Sequence, residues 1–255
     1  MKKQTYFQTF YARRNMIQEL FLAFFTSIAS YPKLLLEVFI RKNFGTRYIN
    51  MASIITVLII FAWSPAITYQ VGQFTGHARS FWGAYATWYV FLAAFLVMAV
   101  IRWRETHLAP AAERWERFSL SNGDIASFFY KLPFLKGAPS TRAVQTFYEP
   151  ALFFLIGLLF RFCGQPVGTL LMVCSIIYAL AYVSAYQKGD DFLRNHLDDM
   201  RCNQDVHDFL TKRPRPNQSG NVPIFFETPD DPNMCQKVAD RIELNDDDDP
   251  NTVAL

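Results

Sequence analysis

From Tyr48 to Tyr69 the chain runs for 22 residues, YINMASIITVLIIFAWSPAITY, without one charged side chain. Such a run suits a helix in lipid, where every backbone N–H and C=O must be satisfied inside the segment itself. At 1.5 Å per residue it is about 33 Å long, enough to cross a hydrocarbon layer of about 30 Å. Phe81 to Ile101 is a second uncharged run, with Phe81, Trp82, Tyr85, Trp88 and Tyr89 crowded into its first half as in an interfacial belt. Pro166 to Tyr186 is another, opening on a proline suited to a first helical turn. Before it, Pro150 to Cys163 holds 14 residues, about 21 Å and too short to cross alone. Extended back to Ala143 it reaches 21 residues, at the cost of taking in Glu149 and Pro150. Gly164-Gln165-Pro166 reads as the tight turn of a helical hairpin.

The whole chain is 51% apolar and 18% charged, against about 25% charged in an average globular domain. The deficit sits in those runs. That excludes an ordinary soluble domain, a disordered chain, a disulfide framework and a coiled-coil or collagen-like fibre. The expected fold class is all-α: a polytopic membrane protein with four transmembrane helices, cytoplasmic amphipathic helices and a partly disordered acidic tail. Its expected divisions are 1–47 (interfacial helices), 48–187 (the four-span domain, with a cytoplasmic loop at 102–142) and 188–255 (the tail).

Charge sets the orientation. Of 25 Lys and Arg, eight precede the first span, seven lie between the second and third, and eight follow the fourth. Only Arg79 and Arg161 fall on the other side, so 23 of 25 are inside if both termini are cytoplasmic. The positive-inside rule therefore predicts cytoplasmic termini, in what we read as a bacterial cytoplasmic (inner) membrane. The N-terminal MKKQTYFQTFYARRN is basic but lacks an apolar core with a small-residue cleavage site, so a removable signal peptide is not expected.

Met16 to Ile40 is apolar but contains Glu19, Pro32, Lys33 and Glu37, and each central charge costs about 2.5–3.5 kcal/mol on insertion. Ile17, Leu20, Phe21, Phe24, Phe25 and Ile28 share one helical face, and Lys33, Glu37 and Arg41 form a polar stripe after Tyr31-Pro32. The pattern predicts two amphipathic helices on the cytoplasmic surface, with Phe21, Phe24 and Phe25 toward anionic lipid.

In the long loop, Leu108, Ala111, Trp115 and Phe118 are at helical spacing, Asn122-Gly123 is a turn, and SFFYKLPFLKG follows. This loop either docks on a membrane or partner, or packs against the protein's own N-terminal helices. The tail carries 15 acidic and 8 basic residues, net −7, whereas residues 1–187 carry 17 basic and 7 acidic, net +10. Beyond a helix over roughly 190–210 and a Pro- and Gly-containing linker at 212–221, Val222, Ile224, Phe225 and Phe226 form a short extended apolar segment. Met234, Val238 and Ile242 then recur at i, i+4, i+8 behind a helix start at Asp231-Pro232. These seven apolar residues are the candidate partner-docking set, by strand addition or helix-in-groove binding. Folding back onto the protein's own loop is the alternative. The closing NDDDDPNTVAL reads as disordered.

Chemistry is sparse. The candidate membrane-end charges are Glu149, favoured at a helix N-terminus, and Arg161, free to snorkel to the outer interface. Cys163, Cys174, Cys202 and Cys235 are too scattered for a metal site, and His196 and His207 are eleven apart among aspartates. No P-loop, GxGxxG, GxSxG, HExxH or CxxC occurs, so no catalytic residue, metal or cofactor is expected. The leading expectation is a non-enzymatic membrane component or scaffold with protein partners or a second copy of itself, and no nucleic-acid partner. The alternatives are a small oligomeric channel or carrier for a neutral solute, and a membrane enzyme acting on lipid through His107 or Asp124.

Overall fold

In the computed structural model, which describes residues 6–11, 16–74, 81–108, 116–131, 139–212 and 223–247, the chain is helical, with no strand among the described residues. The elements are α1 (Tyr6–Phe10), α2 (Met16–Ile40), α3 (Met51–Phe74), α4 (Phe81–His107), α5 (Thr141–Phe162), α6 (Pro166–Lys212) and α7 (Pro232–Asp247), with a short 3-10 turn at Ser127–Lys131. Two compact units emerge, Leu20–Tyr186 and the pair of segments Met1–Glu19 with Gln187–Leu255.

Five helices are long and apolar enough to cross a membrane: Leu22–Ile40 within α2, then α3, α4, α5 and α6. The larger unit carries exposed apolar side chains on every one of these, among them Phe24, Ile59, Trp63, Val97, Leu155 and Val173. Its interior is apolar as well, with Leu35, Val57, Phe95, Phe153, Leu171 and Tyr178 in one buried cluster. Helices apolar on both the inner and outer face belong to an integral membrane protein rather than to a water-exposed bundle.

Local chemistry explains why prolines sit inside these helices. Pro65 removes a backbone donor and leaves the Phe61 carbonyl without its helical partner. That carbonyl instead accepts from Trp88 Nε1 at 2.9 Å on α4 and from Ser64 Oγ at 3.1 Å. The Asn50 side chain accepts from the Ser53 N–H at 2.7 Å and starts α3. On α5, Ser140 accepts from the Ala143 N–H, and residues Val144–Tyr148 widen to a π-helical stretch just before Glu149-Pro150. The wider turn relieves the clash a proline ring makes with the carbonyl four residues back. This resolves the short third run: the helix extends back to Thr141 and is 22 residues long.

The sequence reading of Met16–Ile40 as two short helices broken at Tyr31-Pro32 is corrected: α2 is one helix of 25 residues with Pro32 inside it. Hydroxyls of Thr26, Ser27 and Ser30 bond back to carbonyls one turn earlier, at 2.6–2.9 Å, on the N-terminal side of that proline. The polar stripe expected at a surface is also corrected, because Glu37 and Arg41 are fully buried.

Gly164 closes α5 with φ +73° and its successor Gln165 donates to the Phe160 carbonyl at 3.0 Å, so α5 and α6 form a tight hairpin. The two backbones touch: a Cβ on Gly168 would lie 2.4 Å from the Gly157 carbonyl oxygen. Residues 41–47 lie along residues 119–124. Gly45 N–H donates to the Ser121 carbonyl at 2.8 Å and Asp124 N–H to the Lys42 carbonyl at 2.8 Å. In this stretch the loop packs on the protein's own chain after α2. The helix expected around Leu108 to Phe118 falls largely outside the described residues.

Candidate functional site

At the C-terminal end of α2, the larger unit buries a charged cluster against α5 and α6. α2 contributes Lys33 and Glu37, one turn apart, and Arg41 follows directly after its last residue. α5 contributes Glu149, α6 contributes Tyr178 and Tyr182, and Tyr48 comes from the link before α3. Glu37, Arg41 and Glu149 are each 0% exposed.

Arg41 is the hub. Its guanidinium grips the Glu149 carboxylate with Nε at 3.1 Å from Oε1 and Nη2 on Oε2, a two-pronged pairing. Nη1 donates to the Tyr182 hydroxyl at 2.6 Å and to the Asn122 carbonyl at 3.4 Å. The Tyr182 hydroxyl donates to Glu37 Oε1 at 2.6 Å and accepts from Asn122 Nδ2 at 2.6 Å. Tyr48 donates to Glu37 Oε2, and Tyr178 to Glu149 Oε2 at 2.5 Å. Lys33 Nζ is 3.7 Å from Glu37 Oε1 and 4.1 Å from the centre of the Tyr182 ring. One shell outward, the buried Arg102 Nε reaches the Val38 carbonyl at 3.4 Å, near the C-terminal end of α2 where cations are favoured.

Two cations and two carboxylates make the cluster electrically neutral. Desolvating four charges costs several kcal/mol per ion, and recovering it requires well-placed opposite charges with further hydrogen bonds. Here every carboxylate oxygen of Glu37 and Glu149 has a donor, and so do the phenol oxygen and carbonyl that face Arg41. Such an arrangement ties five chain segments together. It leaves no activated nucleophile, and no group of three or more His, Cys, Asp or Glu side chains suited to a metal occurs among the described residues.

The sequence-nominated residues scatter. Glu149 belongs to the cluster; it stands eight residues inside α5 rather than at its N-terminus, so its partner is Arg41 and not a helix dipole. Arg161 is exposed near the end of α5. Phe21, Phe24 and Phe25 lie on α2, with Phe24 64% exposed and Phe25 half-buried. His107 stacks on Trp103 and Asp124 accepts from Asn43 Nδ2 at 2.7 Å, so each has a separate structural partner.

The tail residues assemble inside the smaller unit. Phe226 meets the rings of Tyr6 and Phe209 at 5.7 and 5.9 Å. Ile242 packs on a small core of Val206, Leu210 and Ala239. Ile224 is half-buried, while Phe225, Met234 and Val238 stay exposed. Val222 lies outside the described residues. Thus the segment after the linker folds back on α6 and α1, where the sequence reading had weighed the cytoplasmic loop.

Lys33, Arg41, Tyr178 and Tyr182 are the residues that sequence reasoning missed. A signal was present: Tyr178, Tyr182 and Tyr186 recur at i, i+4, i+8 within an uncharged run. Three phenols on one helical face offer donors that a lipid-facing surface does not need. Compared with known protein families, curated proteins and solved structures, the chain finds no match.

Proposed function

We propose that the chain is a non-enzymatic integral membrane component, or scaffold, of a larger assembly. In this reading four helices, α3 to α6, cross a bacterial cytoplasmic membrane with both termini inside, and the acidic tail unit binds a protein partner. The distribution of 23 of 25 basic residues supports that orientation.

One observation carries the reading. Past the uncharged run of α6, Phe192, Leu193, Leu197 and Met200 are 41–73% exposed, and Phe225, Met234 and Val238 of the same unit are 44–62% exposed. These side chains belong to a segment of net charge −7, which an anionic leaflet repels. Exposed apolar groups that water disfavours and the membrane surface rejects fit a protein partner. A channel or carrier would call for a polar stripe along the length of a span, whereas the fully buried charged groups Glu37, Arg41 and Glu149 are tied to one another at one place. Lipid chemistry through His107 or Asp124 has no supporting geometry.

The test is purification of the full chain in mild detergent with crosslinking, beside Leu193→Asp with Leu197→Asp. Copurifying species should be present with the parent chain and lost with the double variant, at unchanged helix content. A clean monomer from the parent chain, with function intact after deletion of residues 212–255, would refute the proposal.

A further inference from the structure

α2 changes surroundings at Pro32. On its N-terminal side Leu20, Phe24 and Ile28, one stripe at i, i+4, i+8, are 49–71% exposed. On its C-terminal side Leu34, Leu35, Leu36, Glu37 and Val38 are all at most 4% exposed. We propose that residues 20–31 form an arm lying in the cytoplasmic leaflet, its Leu20–Phe24–Ile28 stripe against acyl chains, and that α2 does not cross the bilayer although its length would allow it.

Within the smaller unit, the hydroxyls of Tyr6 and Tyr11 donate to the Pro223 carbonyl at 3.1 and 2.8 Å, and the Phe225 N–H donates to Tyr6 at 2.9 Å. Residues that touch are on the same side of a membrane. The chain between residues 11 and 223 must therefore cross an even number of times. α3, α4, α5 and α6 make four crossings, and α2 would make a fifth.

Lys33 is eight residues before Arg41, about 12 Å along a helix axis. Yet Lys33 still stands over Tyr182, 4.1 Å from its ring centre, the same tyrosine that Arg41 engages through its hydroxyl at 2.6 Å. The Lys33 and Arg41 side chains therefore converge on one tyrosine, which holds the chain after Pro32 at the charged cluster. The charged cluster then works as an anchor for the C-terminal half, and the arm is left free to enter lipid.

The stripe is wholly apolar, its neighbouring hydroxyls at Thr26, Ser27 and Ser30 are tied to backbone carbonyls, and Lys2, Lys3, Arg13 and Arg14 precede it in sequence. Apolar residues on one face, with basic residues before them in sequence, suit the boundary of an anionic leaflet, at a depth of about 5–10 Å. This placement of α2 rests on the four crossings of α3 to α6 and the cytoplasmic termini of the proposed function, and it does not depend on a tail partner.

The experiment uses the full chain in phosphatidylethanolamine–phosphatidylglycerol vesicles. Leu20→Cys, Phe24→Cys and Ile28→Cys are made in a Cys163→Ser background and labelled with the fluorophore NBD. Quenching is compared between lipids carrying a nitroxide near the headgroup and lipids carrying it deep in the acyl chain. The shallow nitroxide should quench more strongly at all three sites, and epitope tags at the two termini should be cleaved from the same side. Stronger quenching by the deep nitroxide at position 28, with tags on opposite sides, would mean a fifth crossing and overturn the proposal. Insensitivity to both nitroxides would mean water or protein at the stripe, and would overturn it too. Neither result bears on loss of crosslinked partners in the Leu193/Leu197 variant, so the two readings fail separately.

Discussion

At the residue scale, the balance of charge in the buried cluster decides what its members do. Arg41 faces two carboxylates, Glu37 and Glu149, that share it with Lys33. Arg41→Ala leaves two buried anions against one ammonium, and removing one partner of a buried pair costs about 3–5 kcal/mol. Thermal unfolding in mild detergent should register that loss. The double variant Arg41→Met with Glu149→Leu removes one charge of each sign and keeps the side-chain volume, so it should recover most of the stability. If the single variant were as stable as the parent, the cluster would not be holding the fold. This cluster was the least legible part of the chain. Lys33, Glu37 and Arg41 at one-turn spacing look like a solvated stripe, because nothing local to residues 33–41 announces a partner 108 or 141 positions away. Only the Tyr178–Tyr182–Tyr186 stripe carried a hint, and aromatic residues at helical spacing are ordinary core.

At the element scale, the α5–α6 hairpin rests on backbone contact at two glycines. A Cβ on Gly157 would be 2.9 Å from the Gly168 carbonyl oxygen, and one on Gly168 only 2.4 Å from the Gly157 carbonyl oxygen and from the Arg161 nitrogen. The obstacles are backbone, which cannot swing aside, so Gly168→Leu should force the helices apart at a cost of at least about 1–3 kcal/mol. Gly189, on the same helix, meets nothing within 4 Å. There Gly189→Ala should stabilise by about 0.5–1 kcal/mol through helix propensity alone. Opposite signs in parallel melting curves are the expected outcome, and a neutral Gly168→Leu would remove the close-approach argument. Long helices of this kind are readable from sequence because an uncharged run of about 20 residues has few other uses. Breaks are less readable. Pro32, Pro65 and Pro150 all lie inside helices, and at Pro65 the reason is Trp88, a donor on a different helix.

At the scale of the whole molecule, net charge divides the chain into +10 for residues 1–187 and −7 for the rest, and the acidic stretch falls in the smaller unit, which also takes in the basic Met1–Glu19. Cysteines provide a direct check. Cys163 is exposed in the α5–α6 turn, while Cys202 and Cys235 of the smaller unit are buried. In addition, burial and then the carboxylates of Asp199 and Asp205 hold the Cys202 thiol above its ordinary pKa. Thiolate is the reacting form, so Cys202 should label slowly at neutral pH and faster as pH rises. With four crossings and cytoplasmic termini, Cys163 faces the opposite side from the tail. A membrane-impermeant maleimide added to intact cells should modify Cys163 quickly and Cys163→Ser should abolish the signal. Cys202 and Cys235 should react only after permeabilisation, and slowly until the unit unfolds. Labelling confined to permeabilised cells would place the hairpin turn inside and reverse the orientation on which the charge argument rests.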